Sequence, residues 1–137
     1  YKILKAVCCI DAGKVINPAL ARGQTAGGMA MGIGYTIMEG FKFNQRGQIG
    51  NDSLRDYKIM RLDEAPEYEI LFIETPQMDG PFGARGLGEQ SVIGMPGAIT
   101  NALSRAIQRP VNQIPATAER LWLLMRETQK EAVGGAQ

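Results

Sequence analysis

One carboxylate, Glu89, stands at the end of a glycine-rich segment and just before a long apolar run. The segment, residues 81–90, reads Pro-Phe-Gly-Ala-Arg-Gly-Leu-Gly-Glu-Gln. Because glycine has no side chain, the backbone of this loop can lie directly against a ligand. Glu89 could therefore act as a general base in a confined pocket. It could instead accept hydrogen bonds from the free N–H groups at a helix start and interact favourably with the helix dipole. On spacing alone this is the commoner role.

Gln24 is the second candidate, because it is an amide within an apolar, glycine-rich helical stretch. It could supply a donor and an acceptor to a buried polar ligand, or it could simply be solvated. Around it, Gly23, Gly27, Ala30 and Gly34 follow one another at spacings of four, three and four. These residues form one smooth helix face, which a sheet, another helix or a flat ligand could approach closely. Such faces serve helix packing more often than ligand contact.

Four other polar residues could contact a ligand, but each also has an ordinary role as a cap, turn or solvated residue. Asn17, Asp56 and Tyr57 read first as helix-cap or turn residues. Arg85 could clamp an anion, although a loop arginine is usually solvated. The loop glycines fit neither the phosphate-loop pattern nor the dinucleotide-binding fingerprint.

The composition excludes several classes of protein. A length of 137 residues suits one domain or a piece of a larger one, and 45% hydrophobic with 21% charged residues is typical of globular chains. A net charge of +1 indicates neither nucleic acid nor an anionic membrane as a partner.

The chain has no histidine, and its two cysteines, Cys8 and Cys9, are adjacent. Neighbours in a strand point to opposite faces, so we expect no disulfide between them. The missing histidine removes Ser-His-Asp and Cys-His catalysis. Together with the lack of a Cys-x-x-Cys pair, it also removes nearly every zinc, iron–sulfur or haem site held by the protein itself. Because the sequence starts at Tyr1 inside a strand-like segment, we expect a fragment or a processed subunit.

The hydrophobic patterns predict an α+β fold, in which a mixed β-sheet is covered by about three helices and the glycine loop lies at one end. We expect one domain over residues 1–133 and a disordered tail over 134–137. The predicted elements are strands at 1–11 and 67–74, a hairpin at 41–49, and helices at 18–38, 91–108 and 115–132.

Taken together, several stretches resemble the molybdenum hydroxylases, the xanthine dehydrogenase and aldehyde oxidase family. The similarity is to the C-terminal part of the large, molybdopterin-binding subunit, and it covers about Val7 to Met125. One departure is Arg85, which stands where lysine is frequent in the family. The similar stretches are, in order, Asp11–Pro18, Gly23–Glu39, Asp56–Tyr57, Gly83–Glu89, Pro96–Ala102 and Ile114–Glu119.

The resemblance implies a function for the candidate residues. It implies that Glu89 is the general base beside the molybdenum, toward a metal-bound hydroxyl group. The implied reaction hydroxylates an aldehyde or an N-heterocycle, with water as the oxygen source. Gln24, Gly86 and Gly88 are then expected to contact the molybdenum–molybdopterin cofactor, in its simple form or as the cytosine dinucleotide. The family holds its metal through the pterin dithiolene, so no protein side chain is expected to ligate it.

The resemblance also implies partners. The chain lacks most of the expected subunit, so the remainder of the molybdopterin subunit and iron–sulfur and FAD subunits are the expected partners. The chain alone is expected to be inactive. A cytoplasmic location is expected, with the periplasm as the alternative. A different hypothesis is a non-catalytic module of the same ancestry, which folds alone, binds partner subunits and exposes apolar surface on its glycine-rich helix.

Overall fold

The computed structural model describes the backbone of residues 1–134 and the side chains of residues 1–126. The predicted α+β class with three helices is confirmed. The predicted tail at 134–137 lies outside the described residues except for Gly134, which ends the last helix. The elements are β1 (Lys5–Asp11), α1 (Pro18–Ile37), β2 (Glu67–Ile73), α2 (Gln90–Ile107) and α3 (Ala118–Gly134).

The sheet of the described residues consists of two parallel strands, with Lys5 of β1 opposite Glu67 of β2 and Asp11 opposite Ile73. Alternate residues point to one face, where Ile10 and Ile70 are buried. On the opposite face Val7 is 53% exposed. The structure therefore covers β1 on one face only.

Helix α1 begins as its sequence predicts. The Asn17 side chain accepts a hydrogen bond from the Leu20 N–H at 3.1 Å, and Pro18 occupies the first helical position, where its missing N–H costs nothing. Helix α2 runs unbroken through Pro96. The predicted hairpin at 41–49 is reduced to a turn closed by one bridge, between Phe43 and Ile49.

The chain divides into two compact units. The first, Tyr1–Ile33 with Met60–Met95, contains both strands and the glycine-rich loop. The second contains Gly34–Ile59 and the chain from Pro96 onward. No helix within residues 1–134 combines the length and the apolar character needed to cross a membrane. The single domain expected from the sequence stays a prediction.

Candidate functional site

Asp11, the last residue of β1, anchors the glycine-rich loop where both strands end. Its Oδ1 accepts hydrogen bonds from the backbone N–H groups of Gly13 at 3.0 Å and Thr75 at 3.1 Å. The Gly13 N–H is the main cause of a lowered pKa at Asp11; Thr75 and the charge of Arg85 also lower it, while partial desolvation opposes them. The ionised carboxylate therefore links the exits of the two strands.

Arg85 is part of the framework of this loop. Its Nε donates to the Thr75 carbonyl at 3.0 Å and lies 3.6 Å from Asp11 Oδ1, and its backbone N–H donates to the Ala12 carbonyl at 3.0 Å. Gly13, at φ +58°, allows this approach, since a Cβ there would lie 2.9 Å from the Arg85 nitrogen. The Arg85 side chain thus fixes the loop, which favours a structural role over an anion clamp.

Two side-chain amides hold the next part of the loop, Gly86-Leu87-Gly88. Gln24 of α1 donates from Nε2 to the Gly88 carbonyl at 2.8 Å. Gln90, the first residue of α2, donates from its side-chain amide to the Gly86 carbonyl. Both glycines have ordinary φ angles, and a Cβ on either would meet no other atom within 4 Å. Nothing in the described chain therefore requires glycine here, and the space beside the backbone is open.

Glu89 immediately precedes α2, as the sequence predicts, and its side chain is exposed. Its backbone carbonyl accepts a hydrogen bond from the Val92 N–H at 3.0 Å. Among the described side chains, residues 1–126, and the described backbone, its carboxylate has no hydrogen-bond or ion-pair partner. The helix-start position is confirmed, but the carboxylate does not cap the helix, so it remains free for other chemistry.

A cleft of about 270 Å³ lies beside this loop in the first unit. Gln24 and Leu20 line it from α1, and Ala84 and Leu87 line it from the loop. A larger cavity of about 360 Å³ belongs to the second unit, and none of the predicted site residues lines it. The smaller cleft is therefore the one that concerns the candidate site.

One row of α1 glycines packs against α2. A Cβ on Gly28 would collide with the Ser91 side chain. A Cβ on Gly32 would lie 2.7 Å from the Met95 Cβ and 2.9 Å from the Val92 carbonyl oxygen. The sequence predicts a smooth face of Gly23, Gly27, Ala30 and Gly34 and leaves a sheet, a helix or a flat ligand open as its neighbour. The residues against which α2 packs are instead Gly28 and Gly32.

The predicted smooth row instead stays open over the first turns of α1. A Cβ on Gly23 or Gly27 would meet no atom within 4 Å. Leu20 and Met31, near the two ends of this row, are 72% and 55% exposed. Gln24 lies between the two glycines and reaches the loop from there. The open row and the glycine loop are thus joined through one side chain.

Asp56 and Tyr57 lie in the second unit, where the Ser53 hydroxyl donates to Asp56 Oδ2 at 3.1 Å. The Tyr57 hydroxyl donates to Glu39 Oε2 at 2.9 Å, and its ring contacts Phe41, with 5.1 Å between ring centroids. The hydrogen bond to Glu39 is the main cause of a raised pKa at Tyr57. A Cβ on Gly34 would meet the Glu39 carboxylate, so Gly34 makes room for the hydrogen bond between Tyr57 and Glu39.

Comparison with known proteins decides the family. Residues 1–66 match a family model described as molybdopterin cofactor-binding domain. The putative xanthine dehydrogenase molybdenum-binding subunit of Escherichia coli K12 is 36% identical over 82% of this chain and 15% of its own length. The chain belongs to the molybdenum hydroxylase family.

Two further relatives of the molybdenum hydroxylase family agree with this assignment. The nicotine 6-hydroxylase large subunit of Paenarthrobacter nicotinovorans is 33% identical over 88% of this chain and 15% of its own length. The crystal structure of quinoline 2-oxidoreductase from Pseudomonas putida 86 superposes with a TM-score of 0.86 at 30% identity, over 92% of this chain and 16% of that one. The chain thus spans about 15% of the curated relatives that it matches.

The geometry of the first unit is compatible with the cofactor of the molybdenum hydroxylase family. The glycines that flank Gln24, and the loop glycines Gly86 and Gly88, leave open surface on which a flat ligand could lie. Gln24 uses one amide hydrogen on the Gly88 carbonyl, which leaves its second hydrogen and its Oε1 for a ligand. Among the side chains of residues 1–126, no group of three or more His, Cys, Asp or Glu could hold a metal ion.

Sequence reasoning missed two members of this arrangement. Asp11 links both strand ends to the loop. The amide of Gln90 reaches the Gly86 carbonyl four residues earlier. The available signal was a glutamine at the predicted start of α2, four residues after a loop glycine, and it was too common a pattern to be decisive.

Proposed function

We propose that this chain forms one wall of the molybdopterin site of a molybdenum-dependent hydroxylase, with Glu89 as the general base. The observation that carries the proposal is the meeting of three features at one loop. An exposed carboxylate without a partner in the described chain follows a glycine backbone with open surface, and Gln24 joins that backbone to the open row of α1.

The proposed role of Glu89 is to take up and release one proton. Its carboxylate forms no ion pair or hydrogen bond with the part of the chain that the structure describes, so no partner there has to be displaced before it accepts a proton. It lies just before the N-terminus of α2, at the end of the glycine-rich loop. An ionised carboxylate within reach of a reacting hydroxyl is the state that a general base requires.

The proposed cofactor contacts are Gln24, Gly86 and Gly88. When bound, the molybdenum–molybdopterin cofactor supplies the two-electron oxidation, while this chain supplies surface, orientation and the base. The open faces of the two loop glycines let a flat ring approach the backbone. The free Oε1 of Gln24 can accept a hydrogen bond from a ring N–H group.

In this proposal, polypeptide outside this chain forms the remaining walls of the site. Relatives named as a large subunit and as a molybdenum-binding subunit support partner subunits, and we include iron–sulfur and FAD subunits among them. We propose an aldehyde or an N-heterocycle as substrate and keep the cytosine dinucleotide as one form of the cofactor. We propose the cytoplasm as the location.

A non-catalytic module that binds partner subunits is the second candidate. The exposure of Leu20 and Met31 at the two ends of the open α1 row favours it, because exposed apolar side chains on one helix face suit a protein contact. This module would self-associate in isolation. Sedimentation of the purified chain separates the two, since a strictly monomeric chain would count against the module.

The cofactor wall can be tested with a matched pair of glycine substitutions. Gly88→Leu fills the open space on the loop, whereas Gly94→Leu fills equally open space on α2. We expect the enzyme that contains Gly88→Leu to lose most of its bound molybdenum and pterin, because the side chain occupies the proposed cofactor surface. The Gly94→Leu enzyme should keep its normal content. Equal cofactor content in both variants would overturn the proposed wall.

A further inference from the structure

The loop that carries Glu89 is held from two helices by a matched pair of amides. Gln24 of α1 donates to the Gly88 carbonyl at 2.8 Å, and Gln90 of α2 donates to the Gly86 carbonyl. The two carbonyls are two residues apart, and the intervening residue is Leu87. A loop with so much glycine would otherwise have wide conformational freedom.

The geometry of the peptide bond transmits this restraint to Glu89. The Gly88 carbonyl and the Glu89 N–H belong to one planar peptide unit. When Gln24 fixes the direction of that carbonyl, it also fixes the plane from which the Glu89 Cα begins. Gln90 fixes the peptide unit that joins Gly86 to Leu87 in the same way. Two of the three peptide planes that lead from Gly86 to Glu89 are therefore held by side chains.

We propose that Gln24 and Gln90 are positioning residues that form an amide clamp on the loop and set the place of the Glu89 carboxylate. This inference rests on the proposed function of Glu89 as the base. It adds Gln90 to the site, and it gives Gln24 a task besides cofactor contact. A general base acts only within a narrow range of distances from the proton that it removes, so a small shift of the loop is expected to slow turnover strongly.

An ordinary local role is the competing explanation for Gln90. Its amide could simply stabilise the first turn of α2 by bonding a carbonyl four residues earlier. In that case its removal would lower stability without changing the turnover of the folded enzyme. The clamp predicts instead a mobile loop and a slower chemical step in an enzyme that still folds and still holds its cofactor.

Trypsin offers a direct probe of loop mobility, because Arg85 directly precedes the clamped segment. We would compare the rate of cleavage at the Arg85–Gly86 bond in the purified enzyme with that in Gln90→Leu, Gln90→Glu and Gln24→Leu variants, using mass spectrometry to identify the bond. Gln90→Glu keeps a side chain that suits a helix start but cannot donate when ionised. Gln45→Leu is the control, since Gln45 is exposed and bonds no residue of the described chain through its side chain.

We expect cleavage at this bond to accelerate about two- to tenfold in each clamp variant, the range for the loss of one net hydrogen bond. In both Gln90 variants kcat should fall about tenfold or more, with KM and molybdenum content unchanged. Gln45→Leu should change none of these values. Unchanged cleavage and unchanged kcat in the Gln90 variants would overturn the clamp.

The clamp and the proposed function can fail separately. If Glu89→Gln retains normal turnover, the proposed base is wrong, while the cleavage rates still report whether the amides hold the loop. If Glu89→Gln is inactive but the Gln90 variants behave as the control does, the base stands and the clamp is wrong. Faster cleavage in the Gln90 variants with unchanged kcat would show a structural bond only and would overturn the positioning role.

Discussion

The side-chain amide of Gln24 donates to the carbonyl of Gly88, a residue 64 positions further along the chain, at 2.8 Å. This bond joins an amide surrounded by open glycines on α1 to the peptide unit that leads into Glu89. Gln24 and Glu89, the two residues for which the sequence suggested chemistry, are therefore linked through one hydrogen bond and one peptide unit. The bond also gives α1 a role in placing the loop, beyond packing against α2.

The two glycine rows of α1 should respond oppositely to alanine. Gly32→Ala should destabilise the protein by about 1–3 kcal/mol, the usual cost of overpacking, because its Cβ would lie 2.9 Å from the Val92 carbonyl oxygen. Gly27→Ala should stabilise it by up to about 1 kcal/mol, because alanine is the better helix former and the position is open. Urea unfolding of both variants measures the difference. A similar effect of both substitutions would contradict the assignment of the rows.

Asp11→Asn should lower stability at neutral pH and leave it unchanged in strong acid. The folded protein holds the pKa of Asp11 below its ordinary value, chiefly through the Gly13 N–H. The ionised group therefore contributes stability above its unfolded pKa, and this contribution is lost as the pH falls through the folded pKa. The difference in the free energy of unfolding between wild type and Asp11→Asn should therefore disappear as the pH falls through the folded pKa of Asp11.

The measurement for Asp11 is the free energy of unfolding as a function of pH. Asp52→Asn is a suitable control, because Asp52 is exposed and its side chain has no bonding partner within the described chain. A gap between wild type and Asp11→Asn that stays constant down to strong acid would show that the charge of Asp11 does not stabilise the loop.

Much of the fold was accessible from the sequence, because its signals are local. Asn17–Pro18 predicts the start of α1, the alternation over 67–73 predicts β2, and the long apolar run after Glu89 predicts α2. The parallel pairing of β1 with β2 is a contact between distant segments, and no local pattern fixes its register. The predicted hairpin at 41–49 has turn residues but closes with only one bridge.

The candidate site was only partly accessible for the same reason. Glu89 and Gln24 were found by residue type and setting, but neither pattern shows that Gln24 reaches the Gly88 carbonyl. Glycine spacing showed that some close approach occurs on α1, yet periodicity alone did not show which row meets α2. Gly28 and Gly32 differ from the other glycines of α1 because Ser91 and Met95, from a distant part of the sequence, lie against them.

Tyr57 should titrate at a higher pH than an ordinary tyrosine, because its hydroxyl donates to Glu39. The hydrogen bond to Glu39 raises the pKa of Tyr57 above its ordinary value of 10.0 in the folded protein. The stability that the pair contributes is therefore complete below pH 10.0 and is lost as the pH rises through the folded pKa. The difference between the ultraviolet titrations of wild type and Tyr57→Phe isolates this phenol. A midpoint at or below the ordinary value would contradict the bond.

In the proposed function, Glu89 is the base of a molybdenum site and this chain contributes one wall of that site. The most direct test compares Glu89→Gln with Glu119→Gln in the purified enzyme that contains this chain, since Glu119 is an exposed carboxylate in the first turn of α3. Glu89→Gln preserves size and removes the base, so turnover should fall by about a hundredfold or more, within the usual contribution of general-base catalysis. Molybdenum and pterin content should stay normal in both variants, and Glu119→Gln should stay active. Normal turnover of a fully loaded Glu89→Gln enzyme would contradict the account.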